Sequence, residues 1–101
     1  MRLLLSFDLP VEKKEQRTAY RHFVKDIKSL GFYQFQKSVY IKLCMNQQMA
    51  DAYIKKAKSF APNEGSVAVL TITEKQFNDI KILLGDNITD VINSDERMIE
   101  L

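Results

Sequence analysis

Two groups of side chains in this 101-residue chain could do chemistry. The first is a single carboxylate. Asp8 closes the apolar run Leu3, Leu4, Leu5 and Phe7, two residues before Pro10. A short apolar run stopped by proline reads as a buried strand. A carboxylate where such a strand ends can bind a hard cation, although Asp also suits turns through its local hydrogen bonding. The second group is cationic. Lys14, Arg17, Arg21, Lys25 and Lys28 recur every three or four residues, so on a helix they share one flank. Cations at helical pitch can neutralise successive phosphates of a nucleic acid. Glu12, Glu15 and Asp26 lie on the other side of the apolar stripe. That separation of sign speaks for a phosphate-tracking face, against the alternative of a merely solvated one. Lys37, the misfit on an otherwise apolar strand face, joins the set as a candidate nucleic-acid contact.

Most other chemistry is excluded by what the chain lacks. One cysteine (Cys44) and one histidine (His22) cannot assemble a zinc cluster, and no internal disulfide can form. Cys44 sits in an apolar stretch and reads as a small buried hydrophobe, and His22 as a surface residue. Gly31, Gly65 and Gly85 are too scattered for a phosphate-cradling loop. A net charge of +2 is too small to argue for nucleic acid by itself, so the gathering of charge on one flank carries that case. The apolar run at the start is too short for a signal peptide, and nothing approaches a membrane span. A cytoplasmic protein is expected.

The elements that must hold these groups follow from periodicity. Tyr20, Phe23, Val24, Ile27 and Leu30 make a helical stripe, ended by Gly31, so a helix is predicted from about Glu12 to Leu30. Phe35, Val39, Ile41 and Leu43 alternate with polar residues as one strand of period two. Asn46 is placed to cap a second helix with Met49, Ala50, Tyr53, Ile54, Ala57 and Phe60 buried. Ser66 to Thr73 is rich in β-branched residues and reads as a strand. After a polar turn, Asp79 to Leu84 is expected to be a shorter strand, and Arg97 to Leu101 one more. A single α+β domain spanning 1–101 results, in the order β-α-β-α-β-β, with both helices on one face of an antiparallel sheet. This is the ferredoxin-like sandwich or a close relative. The uncovered face, assigned Leu4, Val67, Val69 and Tyr40, is apolar enough to suggest a two-fold homodimer with sheets face to face, against an ordinary solvated sheet. In that dimer the two Asp8 carboxylates would approach the seam, and a magnesium or manganese ion between them would relieve their repulsion.

Five stretches in order also resemble one family. They are Phe7-Asp8-Leu9-Pro10, the basic helix with Arg17, Tyr20 and Arg21, and Gly31-Phe32 leading to Gln36-Lys37-Ser38-Val39-Tyr40, followed by Leu70 to Phe77 and Asn93 to Arg97. Together they are similar to the second CRISPR-associated protein, the small subunit of the spacer-acquisition complex, in its single-effector form. The resemblance implies a homodimer exchanging a C-terminal strand, 88–101, and a double-stranded prespacer DNA platform between copies of the integrase subunit. It also implies magnesium-dependent endonuclease activity on RNA or double-stranded DNA, with Asp8 matching the family's metal-binding aspartate. Two other readings stay open. One is a stand-alone endoribonuclease. The other is a ligand-sensing regulatory domain on a similar sheet, which the segregated helix charges oppose.

Overall fold

The structure, a computed structural model, describes residues 1–85. Its sheet is built on β1 (Arg2–Asp8), which pairs antiparallel with β3 (Val39–Leu43) on one side and with β4 (Ser66–Ile72) on the other. β2 (Tyr33–Gln36) continues the sheet beyond β3, giving the order β2-β3-β1-β4. Helices α1 (Lys14–Ser29) and α2 (Gln47–Phe60) complete a β-α-β-β-α-β chain, the ferredoxin-like plan. A short α3 (Glu74–Asn78) follows.

Three expectations are corrected. The predicted single strand over 35–43 is a hairpin, with Lys37 and Ser38 in the turn. No Asn-Gly or Asp-Gly marks this reversal, and neither turn residue has positive φ. Alternation alone cannot tell one long strand from two short ones when the turn keeps the parity. The hairpin therefore precedes α2 and is not displaced by it. The predicted strand Asp79–Leu84 is absent. In its vicinity Thr73 caps α3, accepting from Gln76 N at 3.0 Å while Gln76 Oε1 accepts from Thr73 N at 2.8 Å. The Thr-x-x-Gln capping box thus sets a helix where a turn was read. Finally, helix α1 begins two residues later than expected, with Gln16 Oε1 accepting from Lys13 N at 2.9 Å. The stretch 88–101, including the expected exchanged strand, lies outside the described residues.

Both main helices cover one sheet face, as the patterning requires. Leu3, Leu5 and Phe7 of β1 meet Phe23 and Ile27 of α1 and Ala50 and Ala57 of α2 in the core. Phe7 is its centre, edge-on to Tyr20 and Phe23 at 5.7 and 5.3 Å and stacked on Tyr40 at 5.8 Å. Cross-strand pairing decides which residues share that face. Val67 lies opposite Phe7, and Val69 and Tyr40 lie opposite Leu5, so these three point to the helices and not to the second face. Of the four residues assigned to the uncovered face, Leu4 alone belongs there, beside Ile41 and Leu70.

The second face is covered at one end by α3. Phe77 packs on Phe35 at 5.9 Å, and Phe35, Ile41 and Ile72 are 4, 0 and 6 % exposed. Arg2 holds this end together. Its guanidinium grips both Glu74 oxygens at 3.0–3.1 Å, donates to Tyr33 OH at 2.7 Å and lies 4.0 Å over the Phe77 ring. Leu70, at 59 % exposed, and Leu43, at 51 %, leave the remainder of that face open.

Cys44 is buried as expected. Burial pushes its thiol above the usual 9.0, against the opposing pull of Lys42 and the N-terminal ammonium. A group raised in the folded state stabilises fully below its unfolded value, and that contribution is lost as pH climbs through the raised one. We expect a thiol reagent at neutral pH to label Cys44 only on unfolding. Stoichiometric labelling of the native protein within minutes would contradict this burial.

Candidate nucleic-acid interface

Asp8 and the start of the cationic row lie toward the same end of the molecule. β1 runs out at Asp8, five residues follow, and α1 folds back over the sheet, which puts its N-terminus at the Asp8 end. At 100° per residue the five cations Lys14, Arg17, Arg21, Lys25 and Lys28 fall within an arc of about 80°, along roughly 21 Å of axis. All five are exposed. The opposite flank carries Glu15 and Asp26, while Gln16, in line with the buried stripe at the first turn, donates from Nε2 to Glu64 Oε1 at 3.1 Å in the loop before β4. Acidic and cationic sides of α1 are thus separated by its buried stripe, as the spacing implied.

The five are not equivalent. Arg17 Nη1 donates to the carbonyls of Val11 and Glu12 at 3.2 and 2.8 Å, so it pins the segment leading into the helix. Arg21 makes one contact, from Nη2 to Thr18 Oγ1 at 3.3 Å, and its charge stays open to solvent. Lys14, Lys25 and Lys28 form no ion pair among the described residues.

Asp8 is exposed, and it too has no ion pair among the described residues. Its backbone is clamped from both sides. Ser38 O accepts from Phe7 N at 3.1 Å, just past the last β1–β3 pair, Ser6 with Val39. On the other side Ser66 is the direct partner of Asp8 in the β1–β4 ladder. Directly paired residues share a sheet face, so Asp8 stands with the Ser66 hydroxyl beside it. Lys37 was read as part of a strand; it lies exposed in the turn between β2 and β3. Ser66 escaped sequence reasoning because a serine at the start of a strand carries no signal until the register names its neighbour.

Two phenols are held above their ordinary value, Tyr40 in the core and Tyr33 at the Arg2 end of the sheet. Burial raises Tyr40 above 10.0, with Tyr20 adding to the effect. Burial also raises Tyr33, although Arg2 pulls the other way. Among the described residues no three His, Cys, Asp or Glu side chains converge as a metal cage. None of the described helices is long and apolar enough to cross a membrane.

Fold and site together define a small ferredoxin-like α+β domain with a cationic helix flank and an open carboxylate at the end of its first strand. The sequence model of the family described as CRISPR associated protein Cas2 matches residues 1–80. This chain belongs to the Cas2 family. Relatives named CRISPR-associated endoribonuclease Cas2 are 48 % identical in Ligilactobacillus salivarius, over the full length of both chains, and 43 % in Streptococcus mutans, over all of this chain and 93 % of the relative. The crystal structure of Streptococcus pyogenes Cas2 at pH 6.5 superposes with a TM-score of 0.62, covering 82 % of this chain and 99 % of that one at 16 % identity, a likeness of fold.

Proposed function

We propose that this protein serves CRISPR adaptation as a homodimer that holds duplex prespacer DNA between integrase subunits. The observation that carries this reading is the flank of five exposed cations on α1, in a chain of the Cas2 family. Duplex DNA carries one negative charge per about 1.7 Å of axis, so a row of this length can follow its backbone without reading bases. The half-open second face, with Leu43 and Leu70 exposed, supplies apolar area for pairing two copies.

A second reading, favoured by the name endoribonuclease on the relatives, is phosphodiester cleavage at Asp8. One carboxylate is too few donors for a resident magnesium or manganese ion. It fits a cation that keeps several waters and is shared with a substrate phosphate or with a second copy's Asp8. Such a cation, when bound, would act as a Lewis acid on the phosphodiester. The chain's own part is to hold that cation's protein ligand at a rigid strand end, with Lys37 and the N-terminal half of the α1 flank drawing the nucleic-acid backbone to it.

Reversing Arg21 and Lys25 to Glu tests the platform. Both are exposed and neither pins the fold, so melting should be unchanged. Duplex affinity should fall at least about tenfold, and the slope of log affinity against log salt should shrink by about two. Spacer acquisition in cells should fall with it. Unaltered affinity and slope would show that nucleic acid does not use this flank. Arg17 is unsuited to the test, because its loss would also free the segment before α1.

A further inference from the structure

The end of the sheet at Asp8 contains a group that neither the family match nor the relatives' names assign. Ser66 is the first residue of β4 and the direct ladder partner of Asp8. It is exposed, and its hydroxyl has no hydrogen-bond partner among the described residues. Its position is fixed by an unusually close approach. A Cβ at Gly65 would lie 2.7 Å from Asp8 O and 2.8 Å from Leu9 Cδ2, so the start of β4 lies hard against the end of β1. The hydroxyl therefore cannot drift from the carboxylate as a loop residue could. Side chains in direct cross-strand register have Cβ atoms about 5 Å apart, a gap that one phosphate oxygen can bridge.

We propose that Ser66 is a phosphate-binding residue, its hydroxyl donating to a non-bridging oxygen of the nucleic-acid strand that lies across Asp8. The chemistry asks for this. A lone carboxylate repels a phosphodiester, and a short neutral donor beside it holds the phosphate without neutralising the carboxylate. The cations at the start of α1 supply charge, and Ser66 supplies direction. The inference rests on the reading of this end as a nucleic-acid contact, but it concerns binding and does not require cleavage.

The test compares Ser66→Ala and Ser66→Thr in the full-length chain. Binding to fluorescent duplex DNA and to RNA is measured without divalent cation and with calcium. Ser66→Ala should weaken binding about five- to tenfold, in line with loss of one hydrogen bond to a charged group, and Ser66→Thr should restore it. Placing single neutral methylphosphonates along the strand should reveal one position where the parent loses affinity and Ser66→Ala loses nothing further. If Ser66→Ala binds like the parent, or if Ala and Thr are equally impaired, the proposal is wrong. If every methylphosphonate position penalises both proteins alike, it is wrong as well. Asp8→Asn run in parallel separates the two ideas: retained cleavage there removes the Asp8 reading, while the Ser66 binding result stands or falls on its own.

Discussion

Asp8→Asn is expected to lower metal-dependent cleavage of RNA or duplex DNA at least about a hundredfold, equivalent to about 2.7 kcal/mol of barrier. The change is nearly isosteric. It keeps an oxygen at the strand end and removes the negative charge that a hard cation requires. Because the Asp8 side chain is exposed and has no ion pair among the described residues, the melting temperature should not move. Nucleic-acid binding without metal should hold or strengthen slightly, since a charge repelling the phosphates is gone. Cleavage falling while folding and binding persist is the pattern that a ligand to the reacting cation gives. A purified Asp8→Asn protein that still cuts at the parent rate would leave the carboxylate without a catalytic part, and the DNA platform would remain as the function.

The largest effect on stability is expected at Gly65. Its φ is +98°, and an added Cβ would meet the Asp8 carbonyl and the Leu9 side chain inside 3 Å. Leu9 is itself buried, so it has little room to yield. Gly65→Ala should cost about 3 kcal/mol, combining backbone strain with the clash, and lower the melting temperature by about 12 °C or more. Gly85→Ala is the control. It has a similar φ of +104° and, among the described residues, nothing within 4 Å of the new Cβ, so it reports strain without collision. Equal melting of the two variants would mean that the turn before β4 does not press on the strand end. Since the same contact sets Ser66 beside Asp8, Gly65→Ala should also weaken nucleic-acid binding at temperatures where the protein is still folded.

The division between what was legible and what was not follows from the range of the interactions. Helix α1 could be read directly, because its apolar, cationic and acidic sectors are each written at helical spacing within sixteen consecutive residues. The same holds for β1, for the Asn46 cap, whose Oδ1 accepts from Met49 N at 2.9 Å, and for the burial of Cys44. Asp8 and the α1 cations were accessible for that reason: each belongs to an element whose type is set locally. The hairpin at Lys37 and Ser38 was not, since the parity of the alternation carries across it with Lys37 the one misfit, and no turn residue announces it. Face assignment failed for Val67, Val69 and Tyr40, because a strand's two sides are equivalent until its partner fixes the parity, and that partner lies up to 64 residues away in the chain, as Leu5 does from Val69. Local sequence therefore determined the elements and the residues able to meet phosphate or metal. Tertiary pairing alone decided that Asp8 and Ser66 stand side by side, because only the β1–β4 register, with Gly65 pressed against the end of β1, brings such distant positions together.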